Sequence, residues 1–300
     1  MATENLEIIE VSPRDGIQNE QTILSTDQKI ELISRAGAAG IGRAEVTSFV
    51  NPKRVPQMAD AEEVAARRPE AMTAIGLTLN ARGFDRAVAA RLDEANFVVV
   101  ATETFNQRNQ GTGTFDSVAA FGAVRARAPS SIGIGVTIGA AFGCPFEGEV
   151  PLARMMSVVE AVMAHDPDEI SLADTIGVAT PRDITERVNA VRNAFPETPL
   201  RLHLHNTRNT GIANAWAGID AGVRRFDASL GGTGGCPFAP RATGNIATED
   251  LVYMLDRSGI PTGIDLDAAI KAAEWLEAQL GHPVPGQVMK AGGFPSPGAA

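Results

Sequence analysis

The stretch LRLHLHNTRNTGIANAWAGIDA, residues 200–221, contains the structural unit from which the fold of this chain can be predicted. In its first part, Leu200–His205, apolar and polar residues alternate, which is typical of a β-strand with two different faces. Its second part, Ile212–Ala221, has the composition and spacing of a helix that packs on one side. The stretch therefore predicts one strand followed by one helix.

The same unit recurs along the rest of the chain. The other strand-like runs are Leu6–Val11, Arg43–Phe49, Ala74–Leu79, Asn96–Ala101, Ile132–Ile138, Glu169–Leu172 and Arg225–Leu230. The other helical segments are Thr26–Ala38, Ala61–Arg68, Phe84–Leu92, Phe115–Arg127, Ala153–His165, Arg182–Ala194 and Thr248–Leu255. Eight strand-then-helix units within about 250 residues predict an α/β fold of the (β/α)8 TIM barrel type. A doubly wound open sheet is the alternative.

No linker divides the sequence, so we expect a single domain. The barrel is predicted to occupy residues 1–280. The remaining residues, 281–300, form a short C-terminal extension that is rich in glycine and proline and lacks periodicity. We expect this extension to pack loosely or to be disordered.

Composition narrows the class of protein and its partners. The chain has 300 residues, 44% of them hydrophobic and 21% charged, which is typical of a globular protein. A net charge of -10 without a basic block disfavours nucleic acid as a partner. No apolar run is long enough to predict a membrane span, and Met1–Asn5 is too short for a targeting peptide. With only Cys144 and Cys236, a disulfide scaffold is not expected, and we predict a cytoplasmic protein.

Two histidines at the end of a predicted strand indicate a metal site. His203 and His205 are two residues apart, so both side chains would face the same side of the strand, near the mouth of a barrel. Asp15 and Asn245 follow other predicted strands and would lie at the same rim. Nitrogen and oxygen ligands in this combination suit a divalent cation, with Mg2+ or Mn2+ expected, and leave positions open for substrate.

Other reactive side chains occur at the predicted rim. Arg14 could hold an oxyanion that develops during a reaction, or could simply form an ion pair. Glu45 and Asp174 are carboxylates that could orient the metal ligands or the arginine. Cys236 follows a run of glycines and could be a reactive thiol or a small buried residue.

Seven motifs, in order, resemble those of the hydroxymethylglutaryl-CoA lyase family, a group of metal-dependent lyases with TIM barrels. The resemblance covers nearly the whole predicted barrel, from about Glu7 to Gly263. The motifs are Val11–Glu20, Thr47–Val50, Val55–Met58, Gly143–Gly148, Asp174–Gly177, Gly234–Ala239 and Gly244–Leu251.

The resemblance implies a role for each residue that matches the family's motifs. Divalent-metal ligands are expected at Asp15, His203, His205 and Asn245. It further implies that Arg14 binds substrate and supports an enolate-like intermediate, and that Cys236 takes part in proton transfer from a mobile glycine loop. Glu45 and Asp174 are expected to belong to the catalytic site.

The implied reaction is the cleavage of a 3-hydroxy-3-methylacyl-CoA, with hydroxymethylglutaryl-CoA giving acetoacetate and acetyl-CoA. The hydroxyl proton would leave to Asp174, to His203 or to a metal-bound water. The expected partners are the acyl-CoA thioester and a second copy of the chain in a homodimer.

Departures from the family's pattern occur in the predicted substrate loops. They include Thr233, Asn206 and the pair Arg208-Asn209, where the family usually has other residues. Arg241 also replaces a small residue, so we expect it to contact the substrate and to alter acyl-chain preference. Citramalyl-CoA or a related thioester is therefore an alternative substrate. A Claisen-type synthase, a 2-keto-acid aldolase and a non-catalytic barrel that binds acyl-CoA are the further alternatives.

Overall fold

The computed structural model describes residues 6–235 and 244–295, and these form a closed barrel of parallel strands. The barrel order along the sheet is β1-β2-β3-β4-β5-β8-β9-β10, with β10 paired to β1. These eight strands are β1 (Glu7–Glu10), β2 (Arg43–Ser48), β3 (Thr73–Thr78), β4 (Glu94–Val100), β5 (Gly133–Gly139), β8 (Glu169–Asp174), β9 (Leu200–Leu204) and β10 (Arg225–Ala228). The predicted TIM barrel is confirmed, and the open doubly wound sheet is excluded.

Helices surround the barrel, and a small hairpin interrupts the alternation after β5. The hairpin pairs β6 (Gly143–Cys144) with β7 (Gly148–Glu149). The helices are α1 (Thr26–Ala38), α2 (Ala61–Arg67), α3 (Ala81–Ala89), α4 (Glu103–Gln110), α5 (Thr114–Arg125), α6 (Leu152–Met163), α7 (Pro181–Ala194), α8 (Gly211–Asp220), α9 (Thr248–Arg257), α10 (Leu266–Leu280) and α11 (Val288–Ala291).

Local sequence signals fix several of the helix starts. Ser25 accepts the backbone N–H of Gln28, whose side chain in turn accepts the N–H of Ser25. Thr180 and Asp183 make the same reciprocal pair at the start of α7. Such a capping box satisfies N–H groups that have no partner within the helix, and it explains why these two boundaries were predictable.

Apolar residues of the strands pack outward against the helices, whereas much of the barrel interior is polar. Leu202 and Leu204 of β9 are fully buried beneath the helices. Arg201 and His203, which alternate with them, face the interior and are also buried. This alternation brings charged side chains of several strands together inside the barrel.

The C-terminal extension departs from the loose packing expected for it, at least as far as residue 295. Val284 and Met289 are buried, and the backbone N–H of Gly286 donates to the carbonyl of Gly231 at 2.8 Å. Hydrogen bonds from the N–H groups of residues 287 and 288 to Asp250 hold the start of α11. Composition alone did not predict this packing, because a few buried apolar side chains are enough to hold a short segment against the barrel.

Within residues 6–235 and 244–295, no helix has the length and apolar character that crossing a membrane requires.

Candidate active site

Three side chains from two parts of the chain meet at the C-terminal ends of the barrel strands. His203 lies near the end of β9, His205 is the first residue after β9, and Asp15 lies in the turn after β1. One potential ligand atom from each lies within 4.8 Å of the others. The Nε2 atoms of the two histidines are 3.1 Å apart, and each lies 3.8 to 3.9 Å from Oδ2 of Asp15.

Asn245 completes this cluster. It forms an isolated bridge with His205, and its Nδ2 donates to Oδ2 of Asp15 at 2.7 Å and to the carbonyl of Thr233 at 2.9 Å. The structure therefore brings together the four residues that the sequence analysis proposed as metal ligands. Gly234 lies close above it, because a Cβ added there would come within 2.4 Å of the Asn245 amide nitrogen and 3.0 Å of Asp15. A side chain at position 234 would collide with the cluster.

Electrostatics keep Asp15 ionised. Burial alone would raise its pKa, but Arg14, whose Nη1 donates to Oδ1 at 2.5 Å, and the two histidines lower the pKa of Asp15 to about 2. A carboxylate that stays charged at neutral pH is a suitable ligand for a cation.

The two histidines have different surroundings. Nδ1 of His203 lies 3.0 Å from Oδ2 of Asp227. Burial lowers the pKa of His203, but this hydrogen bond and the charge of Asp15 outweigh burial, so its pKa is raised overall. No carboxylate of the described residues forms a hydrogen bond with His205, and burial together with its neighbour His203 lowers its pKa to about 4, against the charge of Asp15. His205 is therefore neutral at physiological pH, as a metal ligand must be.

The cluster fits a divalent cation. Among the residues that the structure describes, Nδ1 of His205 and Oδ1 of Asn245 are buried without a hydrogen-bond partner. Two imidazole nitrogens that face each other at 3.1 Å are also a natural place for a shared cation. Two nitrogens, a carboxylate and an amide are suitable ligands for a divalent cation, and they differ from the cysteine-rich set of a closed structural zinc site.

Arg14 is held next to the cluster by Glu45. Its Nε and Nη2 donate to Oε2 of Glu45 at 2.9 and 2.5 Å, and its Nη1 donates to Asp15. Nδ2 of Asn96 donates to the other oxygen of Glu45 at 3.2 Å. Glu45 thus has the orienting position that the sequence analysis suggested, and the guanidinium is fixed at the edge of the cluster.

Asp174 is buried at the end of β8 and is bound by its own loop. Its two oxygens accept the backbone N–H groups of Val178 and Ala179 at 2.9 and 3.0 Å. Burial raises the pKa of Asp174 to about 6, although these two N–H groups and the charge of His203 act in the opposite direction. Within the described residues, Asp174 forms no hydrogen bond or ion pair with the metal cluster, although the charge of His203 acts on it, so Asp174 lies beside the cluster.

Of the two cysteines and Arg241, only Cys144 lies within the described residues. Cys236 and Arg241 lie outside the described residues, so their predicted roles remain predictions. Cys144 is buried in the β6–β7 hairpin, where its Sγ accepts the hydroxyl of Thr102 at 3.1 Å and two backbone N–H groups at 3.4 Å. These contacts agree with a structural role in the turn.

Sequence reasoning missed the residues beneath the metal cluster. Asp227, which contacts His203, and Arg201, which contacts Asp227, are both almost fully buried. The sequence did contain a signal that these residues are paired, because charged residues within a buried strand are rare unless they have partners. The partners could not be assigned without the register between β9 and β10.

A TIM barrel with a candidate metal centre and a fixed guanidinium at its C-terminal mouth defines a class of enzymes that work on anionic or carbonyl substrates. The chain belongs to the HMGL-like family, whose model matches residues 5–276.

Named relatives in this family are lyases. The (R)-citramalyl-CoA lyase of Chloroflexus aurantiacus is 45% identical over 303 residues, covering 96% of this chain and 95% of the relative. A hydroxymethylglutaryl-CoA lyase of Bacillus subtilis is 38% identical, covering 93% and 94%. A solved HMG-CoA lyase from Acinetobacter baumannii, in complex with coenzyme A and 3-methylmalate, superposes with a TM-score of 0.94 at 43% identity, covering 99% of each chain.

Proposed function

We propose that this chain is a divalent-metal-dependent carbon–carbon lyase that cleaves a 3-hydroxy-3-methylacyl-CoA, with hydroxymethylglutaryl-CoA giving acetoacetate and acetyl-CoA. The observation that carries the proposal is the meeting of Asp15, His203, His205 and Asn245 beside the guanidinium of Arg14. Membership in a family of lyases and a neighbour solved with coenzyme A support it.

The proposed reaction assigns a task to each side chain of the site. Asp15, His203, His205 and Asn245 would hold the cation, which when bound supplies Lewis-acid polarisation of the substrate's hydroxyl and carboxylate oxygens. When the carbon–carbon bond breaks, negative charge develops on the thioester oxygen, and Arg14 would stabilise it. Because Glu45 and Asp15 already fix the guanidinium, little reorganisation is needed at that step.

Two proton transfers are also required. The hydroxyl proton needs a base, and Asp174 is the better candidate, because Nε2 of His203 would bind the cation and its Nδ1 already contacts Asp227. The pKa of Asp174, about 6, suits a group that accepts a proton near neutral pH, although both of its oxygens already accept backbone N–H groups. Cys236 is proposed to protonate the carbon that becomes the methyl group of acetyl-CoA.

Citramalyl-CoA is the second candidate substrate, because a citramalyl-CoA lyase is among the named relatives. The two thioesters differ by one methylene between the carbinol carbon and the carboxylate. They therefore release different ketones, acetoacetate from one and pyruvate from the other. One methylene typically changes kcat/KM by about 10- to 200-fold, so the preference is measurable.

The function is tested by supplying purified protein and a divalent cation with both thioesters and measuring acetyl-CoA and ketone release. Cleavage of either supports the lyase. Condensation of acetyl-CoA with a 2-keto acid, without cleavage, would favour a Claisen-type synthase. Cleavage of a free 2-keto acid would favour an aldolase, and tight acyl-CoA binding without turnover would indicate a non-catalytic barrel.

The two cysteines should respond differently to substitution. Cys236→Ser is expected to lower kcat by ~10² because it removes a proton donor. Cys144→Ser should stay within a few-fold of the wild type, since a hydroxyl can still accept from the turn that Sγ now organises. The measurement is kcat for both variants, with Tm as the check on folding. Equal losses would remove the distinction between a catalytic and a structural thiol.

Arg241 is proposed to contact an anionic group of the substrate and so to influence acyl-chain preference. Loss of a charge-assisted contact costs about 1.5–3 kcal/mol, so Arg241→Gly should lower kcat/KM by about ten- to a hundred-fold for the preferred thioester. The ratio of kcat/KM for hydroxymethylglutaryl-CoA and citramalyl-CoA should also change. If both the ratio and the activity are unchanged, Arg241 is a surface residue without a role in specificity.

A further inference from the structure

The carboxylate of Asp227 lies between a candidate metal ligand and a buried arginine. Strands β9 and β10 are in register so that Asp227 is opposite His203. One oxygen of Asp227 is 3.0 Å from Nδ1 of His203, and the other is 3.5 Å from Nη1 of Arg201. The side chains of Asp227 and Arg201 are 4% and 2% exposed, so water does not compete for these contacts.

Arg201 in turn forms an ion pair with Glu169, which lies nearer the N-terminal end of the barrel. Its Nε lies 3.2 Å from Oε2 of Glu169, as an ion pair without hydrogen-bond geometry. Glu169 accepts two hydrogen bonds from Arg43, at 3.1 and 3.0 Å, and one from Arg225 at 2.8 Å. The result is a column of alternating charges that runs from the N-terminal end of the barrel interior to the metal cluster. Barrel interiors are usually filled by branched apolar residues, and buried ion pairs add little stability over such residues. Stability alone therefore does not account for the column.

The contact with Asp227 favours one tautomer of His203. A carboxylate oxygen accepts a hydrogen bond from a ring N–H, so a contact of 3.0 Å favours the proton on Nδ1. Nε2 then keeps its lone pair, and this atom faces Nε2 of His205 and Oδ2 of Asp15. A histidine ligand must present a bare nitrogen to the cation, and its orientation depends on the hydrogen bond of the other nitrogen.

We propose that Asp227, held in place by Arg201, is a positioning residue of the metal centre that fixes the tautomer and the ring orientation of His203. The inference rests on the proposed function only in taking His203 to be a metal ligand. Arg201 acts through Asp227, because it makes no contact with the cluster among the described residues.

Nitrogen-15 NMR of the imidazoles tests the tautomer without any substitution at the site. The chain has four histidines, so the spectrum is simple and can be assigned in the wild-type protein by through-bond correlations to the backbone. In metal-free wild-type protein at mildly alkaline pH, His203 should show the proton on Nδ1. In Asp227→Asn the amide can donate as well as accept, and the form with the proton on Nε2 should become populated.

Metal affinity provides the second measurement, with Mn2+ as the probe and metal-free protein as the starting state. Asp227→Asn should weaken Mn2+ binding by about 10- to 100-fold. Arg201→Met should weaken it in the same direction, and the double variant should bind no more weakly than Asp227→Asn alone. The matched control is Asp168→Asn, which breaks another aspartate–arginine pair, with Arg125. Its Mn2+ affinity should stay within about twofold of the wild type.

Three results would overturn the inference: a proton on Nε2 of His203 in the wild type, an unchanged affinity in Asp227→Asn, or additive losses in the double variant. The first needs no variant, so it decides the matter even if a substitution prevents folding. A different result would count against the proposed function instead, namely wild-type protein that carries the proton on Nδ1 but binds no Mn2+.

Discussion

Replacement of His203 or His205 by alanine is expected to lower kcat by ~10³ or more, and removal of divalent cations by a chelator should have the same effect. The reason is geometric, because the two Nε2 atoms face each other at 3.1 Å beside Asp15 and no other described residue can take their place. Each variant should also bind Mn2+ far more weakly than the wild type.

The matched control for these variants is His282→Ala. His282 lies on the surface, where its ring nitrogens contact Glu20 and the carbonyl of Pro283. This substitution should leave both kcat and Mn2+ affinity unchanged. Activity should return when Mg2+ or Mn2+ is added back to chelated wild-type protein. Full activity in chelated, metal-free protein would contradict the proposed mechanism.

The second large effect is expected at Arg14. Arg14→Gln should lower kcat/KM by about 10²–10³, the range observed when a donor to a developing oxyanion is removed. Arg14→Lys should restore little of this loss, because Glu45 and Asp15 bind separate nitrogens of a planar guanidinium that an ammonium cannot reproduce. Steady-state kinetics on the preferred thioester, together with Tm, provide the measurement.

A variant at another buried arginine, Arg187, provides a control that distinguishes a loss of stability from a loss of catalysis. Arg187 is also almost fully buried, but it donates to the carbonyls of Ala141 and Val150, on the α7 side of the barrel. Arg187→Gln should lower Tm while the folded fraction keeps its kcat. If Arg14→Gln behaved in the same way, Arg14 would be a structural ion-pair partner rather than a catalytic residue.

The sequence predicted the barrel because its signals are local. Short strand-like runs alternate with amphipathic helices, and capping residues such as Ser25 and Thr180 mark where helices begin. Helix α4 was not predicted because its residues, ETFNQRNQ, are nearly all polar and show no apolar period. Helix α10 was also not predicted, because it comes after the eighth strand-then-helix unit. Its apolar face nevertheless packs against α1.

The candidate site was predictable where residue spacing alone determines geometry. His203 and His205 share a face because side chains on a strand alternate, whatever the neighbouring strands are. The contact of His203 with Asp227 depends instead on the register of two strands that are joined through a helix, which no local pattern encodes. The same limit applied to Asn96, which reaches Glu45 across the barrel interior.

The packing of the C-terminal extension affects how shortened or tagged versions of this protein should be prepared. Val284 lies against Gly231, and Pro285 lies against Gly232, at the turn that leads into the segment containing Cys236. A protein cut after Leu280 would keep every barrel strand but lose this support, and low activity in such a protein would say nothing about the chemistry. Purification tags joined directly to Leu280 carry the same risk, so an N-terminal tag is the better choice for kinetic work.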